Sequence, residues 1–248
     1  TIKLVDVTTL WKYNGEHSLN GYTVIIPSVA VGNVGQLSCD LLISSLRMKK
    51  IASLYTPALI PVLGQDPYDQ NSDNLCGSCD MYKSEKEKIV VVQIRAPLMC
   101  KYAKKFLESL VNHFQEIQIR DVVILTSSFA HEKKNIMSSP FRFLGTSVYE
   151  KNLRSINIPE HESVDDELRI YGGGFACLFY KICKEKSLPC IVLYKYCSEG
   201  DNIPDAYEMV HFLNSLNAIF SEKDVNAQLI QPVSWKLLFG RPPPIDIY

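Results

Sequence analysis

The 248-residue sequence has no excess of either charge: 26 Lys and Arg face 27 Asp and Glu, a formal net charge of −1. So balanced a chain has no global field to draw nucleic acid or an anionic membrane surface, and partners of both kinds are excluded. It has no apolar run approaching the roughly 20 residues that span a bilayer. The first residues, Thr-Ile-Lys-Leu-Val-Asp, carry no basic region followed by an apolar stretch, and no Asn-x-Ser/Thr acceptor occurs. The motifs of catalysis are missing as well. His131-Glu132 is followed by Asn135 where a metalloprotease helix would need its second histidine, and G-x-S-x-G is absent. A lone Cys76-Gly-Ser-Cys79 has no second pair to complete a zinc site. His17, His113, His131, His161 and His211 are scattered and assemble no triad. No metal, cofactor or catalytic residue is therefore expected.

What is present is ordinary for a globular chain: 46% hydrophobic and 21% charged residues. The eight cysteines fall mostly inside apolar segments, which suits reduced thiols and an intracellular setting better than a disulfide scaffold. Residues 1–20 read as irregular. Residues 22–26 read as a strand stopped by Pro27, and the apolar spacing Val34, Leu37, Leu41, Leu42, Leu46 predicts a helix. A strand over 50–55 completes a β-α-β opening, and 64–78 read as a polar loop. Strands at 80–83 and 89–95, a helix at 99–117 and a buried strand at 121–126 follow, then a long loop to Pro140. A helix at 147–154, a helix opened by Gly172-Gly-Gly174, a strand at 191–194 and a helix at 203–220 complete the pattern. Strands alternating with helices predict an α/β fold, a single domain with a mostly parallel sheet between helical layers. Residues 1–220 form this body. Residues 221–248 form a C-terminal segment with a short helix near Trp235 and a proline-rich tail.

Three stretches are candidates for a site. Gly32, Asn33 and Gly35 follow a strand and open a helix, the place of a phosphate loop, yet lack its lysine and hydroxyl. Helix–sheet packing with Asn33 as cap is the expectation there. Gly172, Gly173 and Gly174 permit unusual backbone angles before a helix. In Ser198-Glu-Gly-Asp201-Asn202-Ile-Pro204-Asp205, Asn202 is expected to cap a helix, with Asp205 as its capping-box partner and Pro204 in the first turn. Glu199 and Asp201 are left without a local reason. Beyond Pro242-Pro-Pro244, the apolar Ile245, Ile247 and Tyr248 make a candidate protein-binding tail.

Taken together, "VAVGNVGQLSCDLLISSL", "IYGGGF", "SEGDNIPDAYEMVHFLN" and "SWKLLFG" resemble the proteasome assembly chaperone 2 family, in order, from about Tyr22 to Phe239. The resemblance implies a nucleoside-phosphorylase-like three-layer sandwich without enzyme activity. It implies a heterodimer with proteasome assembly chaperone 1 that holds α-subunits of the 20S proteasome during ring formation and prevents aberrant ring association. It implies a cytoplasmic and nuclear location. Related chaperones insert tails reading hydrophobic–Tyr–any between α-subunits, and Asp246-Ile247-Tyr248 sits one place out of step with that pattern. The alternative is a small-ligand hydrolase or phosphorylase working at the glycine-rich strand ends; a passive scaffold is a third reading.

Overall fold

The computed structural model describes residues 9–146, 158–161, 168–220 and 225–237. Its centre is an eight-stranded mixed sheet built from β1 (Leu10–Tyr13), β2 (Thr23–Pro27), β3 (Lys49–Tyr55), β6 (Cys79–Ser84), β7 (Ile89–Ile94), β8 (Asp121–Phe129), β9 (Phe141–Gly145) and β10 (Cys190–Cys197). The order is β1-β3-β6-β7-β2-β8-β10-β9. The inner four, β7-β2-β8-β10, are mutually parallel, while β6, β9 and β1 run against their neighbours. Strands β4 (Leu63–Gln65) and β5 (Leu75–Gly77) form a separate two-stranded ribbon.

The parallel strands are the ones whose sequences run apolar without alternation, because helices cover both faces. Every residue of β7, Ile-Val-Val-Val-Gln-Ile, is buried. On one face lie α2 (Ala103–Glu116) and α3 (Ala176–Glu185), and on the other α1 (Val34–Ser45) and α4 (Ile203–Asn217). Helix α2 turns Phe106, Leu107, Leu110, Val111 and Phe114 inward, all at 0% exposure. At roughly 1.5–3 kcal/mol for each fully buried large side chain, that stripe outweighs any helix propensity. The short α5 (Val225–Gln228) brings Val225, and the turns after it Leu229 and Trp235, into the core beside α1 and α4. None of the described helices is long and apolar enough to cross a membrane.

Several expected boundaries change. Residues 10–13 are an edge strand, not irregular chain, held by the pairing Leu10↔Tyr55 through Tyr13↔Ala52. Residues 63–65 and 75–77 pair within the stretch read as loop. Strand β8 runs on to Phe129 because Thr126, Ser127 and Ser128 continue the parallel ladder with β10. Strand β9 closes the far edge in the stretch between the loop to Pro140 and the helix expected at 147–154, where no element was expected. The β2-α1-β3 unit holds, but β6 and β7 lie between its two strands. The helix expected at 147–154 lies outside the described residues, as do Ile245, Ile247 and Tyr248.

Candidate functional site

In a parallel sheet with helices on both sides, ligands are bound at the carboxyl ends of the strands. Here β2, β8 and β10 are neighbours, so the segments that leave them are brought side by side. These are residues 28–33, 130–132 and 198–202, and the segment 170–175 crosses the same place. All three candidate stretches of the sequence converge there.

The contacts are close. Gly32 lies at φ +65°, and a Cβ on it would sit 2.6 Å from the Asn202 side-chain carbon. Gly174, at φ +60°, would place a Cβ 2.2 Å from the Val29 carbonyl oxygen. Both need the left-handed backbone and the missing side chain. Gly35 is required for a different reason: α1 approaches β8 so tightly that a Cβ would be 2.5 Å from the Leu125 carbonyl oxygen. Gly172 and Gly173 sit against the Phe129 ring and Ile170.

The hydroxyls at this end are spent on the backbone. Buried Ser28 donates to the Gly173 carbonyl (2.9 Å) and accepts from the Phe175 N–H (2.8 Å). Thr126 also donates to Gly173 O, at 2.9 Å, and Ser128 donates to Tyr171 O, at 2.9 Å. Ser127 donates to Val31 O, while the Val31 N–H reaches Gly172 O at 3.0 Å. A serine that activates for nucleophilic attack must give its proton to a base, and these give theirs to carbonyls. Cys197 nearby is held as the thiol, since burial pushes its pKa up to about 11.

The acidic turn resolves differently from its local pattern. Asn202 stands at the start of α4 but makes no side-chain cap bond. Its Nδ2 donates to Ser198 O (2.8 Å) and to Asp205 Oδ2 (2.7 Å), while the cap is supplied by Asp201 Oδ1, which accepts from the Ile203 N–H at 3.1 Å. Asp205 does not reach back to a backbone N–H as a capping box would. It takes a 2.5 Å bond from Lys195 of β10, whose ammonium also meets Glu208 at 2.9 Å. Burial lowers the lysine's pKa, but the two carboxylates outweigh it and the net shift is upward. Pro204 occupies the first turn as expected. Asn33 likewise gives no cap bond: it lies at φ +51°, left-handed, where capping geometry needs an extended residue. Helix–sheet packing at Gly35, by contrast, is as expected.

A second polar cluster was invisible in the spacing. Asp40 of α1, 6% exposed, accepts from Tyr68 Oη (2.6 Å), Gln93 Nε2 (2.7 Å) and Arg95 Nη2 (2.8 Å). Arg95 Nη2 also donates to Tyr68 Oη at 2.7 Å. The group ties α1, β7 and the loop between β4 and β5 together. Cys76 and Cys79 are unpaired and buried, with Cys76 Sγ 3.2 Å from Tyr82 Oη. Among the described residues, no three His, Cys, Asp or Glu side chains are grouped to hold a metal ion. A signal for the missed hydroxyls did exist: Thr126-Ser-Ser128 is a polar triplet ending an otherwise apolar strand.

Comparison with known proteins sets this geometry in context. The profile of the PAC2 family matches residues 24–228. Proteasome assembly chaperone 2 of Xenopus tropicalis is 35% identical over 247 residues, spanning 92% of this chain and 95% of its own length. The Homo sapiens protein of that name is 36% identical over 245 residues, spanning 90% and 93%. Among solved structures, Pyrococcus furiosus PbaA, an archaeal homologue of proteasome-assembly chaperone, superposes with a TM-score of 0.71 at 14% identity. It covers 89% of this chain and 90% of its own, a likeness of fold.

Proposed function

The chain belongs to the PAC2 family of proteasome assembly chaperones, and we propose that it works as the non-catalytic half of a heterodimer with proteasome assembly chaperone 1. In this reading the pair holds α-subunits of the 20S proteasome while their ring forms, and prevents aberrant ring association, in the cytoplasm and nucleus. Two features support a binding role over turnover: the strand ends close on themselves through hydroxyl–carbonyl bonds, and the chain's surface is apolar in one region.

That apolar region is the observation that carries the proposal. Of eleven large apolar side chains exposed among the described residues, seven gather at one corner: Leu10, Tyr55, Ile60, Val62, Leu63, Leu75 and Met99. They belong to the β1–β3 edge, the turn after β3, the ribbon and the segment after β7. An edge strand and a contiguous apolar patch are features that natural monomers cover or avoid. A partner that seals this corner removes both liabilities at once.

The test is co-expression with proteasome assembly chaperone 1, followed by light scattering and by mass spectrometry of co-purifying chains. The expected result is a 1:1 complex that retains α-subunits, and a chain that self-associates when expressed alone. A monodisperse monomer at high concentration, unchanged by the partner, overturns the dimer. Turnover of nucleosides or esters overturns the non-catalytic assignment.

A further inference from the structure

Arg142 is a buried cation that makes no ion pair among the described residues. It lies on β9 directly opposite Tyr194 of β10 and is 5% exposed. Its guanidinium donates to the carbonyls of Ser139 (2.6 Å) and Phe141 (2.8 Å) and to the Ser138 hydroxyl (2.8 Å), and it sits 5.5 Å from the centre of the Tyr196 ring. Arginine has five N–H donors; three bonds leave two with no acceptor among the described residues. Neutral carbonyls and a ring face are weak compensation for a charge taken out of water.

Beside Arg142 is a cavity of about 50 Å³, whose wall also includes Lys134, Arg169, Tyr194, Tyr196 and Glu132. His161, which hydrogen-bonds Tyr194 Oη at 2.8 Å, completes one side. Among the described residues, Arg142 and the exposed Lys134 thus line the cavity with a single carboxylate, Glu132. A water needs about 10–15 Å³ of such space, so the cavity takes a carboxylate head with a water or two and rejects a sugar or nucleotide. Glu132 on the wall opposes a dianion, which disfavours phosphate. Ile136 and Met137, next in sequence to the lining Asn135, are 83% and 94% exposed, and Tyr171 of the lining is 43% exposed.

We propose that this cavity is a carboxylate-reading pocket, occupied by an acidic side chain of a protein partner whose neighbouring apolar residue packs on Ile136, Met137 and Tyr171. Charge complementarity argues for the acid, and the apolar rim argues for a protein over a free ion. The choice of a protein source rests on the binding role proposed above; the preference for a carboxylate does not. An arginine with unused N–H groups pairs with a carboxylate in a directed way that a lysine cannot reproduce.

The experiment is an NMR titration of the isotopically labelled chain with acetate, inorganic phosphate and chloride at constant ionic strength. The expected result is saturating shifts at the Arg142 Nε–H and the Tyr194 and Tyr196 rings, with acetate about ten-fold tighter than phosphate or chloride, a gap of about 1.4 kcal/mol. Arg142→Lys and Lys134→Glu should each weaken acetate binding while the rest of the spectrum stays folded. Absence of saturable acetate shifts, or equal binding of phosphate, overturns the carboxylate pocket. The acids Glu162, Asp165, Asp166 and Glu167, between His161 and Leu168 in sequence, lie outside the described residues. If acetate binds only after these four are changed to amides, the chain's own acids fill the pocket and the partner assignment is overturned. In a final arm, adding proteasome assembly chaperone 1 or an α-subunit should abolish the acetate response. A response that persists with both bound overturns the partner as source. If neither protein binds at all, the proposed function falls and takes the partner with it, while the acetate arm still decides the pocket.

Discussion

Replacing Asn202 by aspartate is the sharpest probe of how the acidic turn is built, because it changes one atom's chemistry and almost no volume. Asn202 is 4% exposed, its Nδ2 shared between the Ser198 carbonyl and Asp205, and its side chain fills the space above Gly32. Asn202→Ala loses one neutral bond, worth about 1 kcal/mol, and one to a carboxylate, worth about 1.5–3 kcal/mol. It also removes Oδ1, a buried acceptor with no partner, which returns about 1 kcal/mol. The net loss should be about 2 kcal/mol. Asn202→Asp loses the same two bonds and sets a second carboxylate against Asp205. At about 4 Å and an effective dielectric of about 20, that repulsion is about 4 kcal/mol, reduced by Lys195 on the far side of Asp205. At least about 2 kcal/mol beyond alanine should remain. The introduced acid has its folded pKa raised by the like charge. Its penalty is therefore full above that folded pKa and absent below the unfolded value near 3.9. Denaturant titrations of the three proteins at pH 7 and pH 5 read this directly. The aspartate variant should trail alanine at pH 7 and close part of the gap at pH 5. A gap that does not change with pH, or an alanine variant as stable as wild type, would refute the geometry. A cap, by contrast, would tolerate aspartate.

Three further outcomes follow from other contacts. Arg95→Met strands the buried Asp40 carboxylate and should cost about 3 kcal/mol; the double change Asp40→Leu, Arg95→Met should cost less than that single one by denaturant midpoint. His113, hydrogen-bonded to Tyr13 at 2.7 Å and stacked on Trp11, has its pKa lowered chiefly by burial. The unfolded chain then binds the proton more readily, so stability should fall as pH drops below about 6.5; His113→Gln should flatten that slope, and an unchanged slope would exclude His113 as its source. Gly174→Ala forces a Cβ onto the Val29 carbonyl at a left-handed φ; it should reduce melting temperature sharply, and a shift within error would mean the 170–175 segment is not clamped.

The elements that could be read from sequence are those whose burial is uniform or helically periodic. Strands β2, β7, β8 and β10 are near-continuous apolar runs, and α2 carries a clean stripe, so each declares itself locally. Strand β1, Leu-Trp-Lys-Tyr, is an edge with exposed and half-buried residues in turn, and four residues are too few to show a period. Strand β9 contains Arg142, which reads as polar chain but is buried opposite Tyr194. The ribbon's strands, Leu-Gly-Gln and Leu-Cys-Gly, are three residues each, too short to show a period, and the loop between them is rich in Asp and Asn. The site shows the same division. Each glycine and acidic motif was legible alone, but that Gly32 touches Asn202 depends on β2, β8 and β10 being neighbours, which no local pattern encodes. The two failed caps have different causes: the Ser198 carbonyl and Asp205 claim the Asn202 amide, and a left-handed turn removes Asn33 from capping geometry.

In the proposed function the tail is too small to be the main grip on α-subunits, and most of the binding falls to the body. Burying Ile247 and the Tyr248 ring contributes roughly 1.5–3 kcal/mol each. Their sum, roughly 3–6 kcal/mol before the cost of ordering the segment, corresponds at its middle to about millimolar affinity. Micromolar binding needs about 8 kcal/mol, so at least a comparable share must come from another surface of the heterodimer, outside the seven-residue apolar corner assigned above to the partner chaperone. Two weak contacts on one chain strengthen each other through effective concentration, and the three prolines at Pro242-Pro-Pro244 restrict the backbone φ of their segment. Deleting Ile247 and Tyr248 should therefore weaken binding to α-subunits about ten-fold or more while leaving the dimer with proteasome assembly chaperone 1 intact. Replacing Leu63 and Leu75 by serine should do the converse and loosen the dimer. Surface plasmon resonance against immobilised α-subunits, beside size-exclusion light scattering for the dimer, separates the two. A truncated chain that binds α-subunits as tightly as the full one would remove the tail from the mechanism.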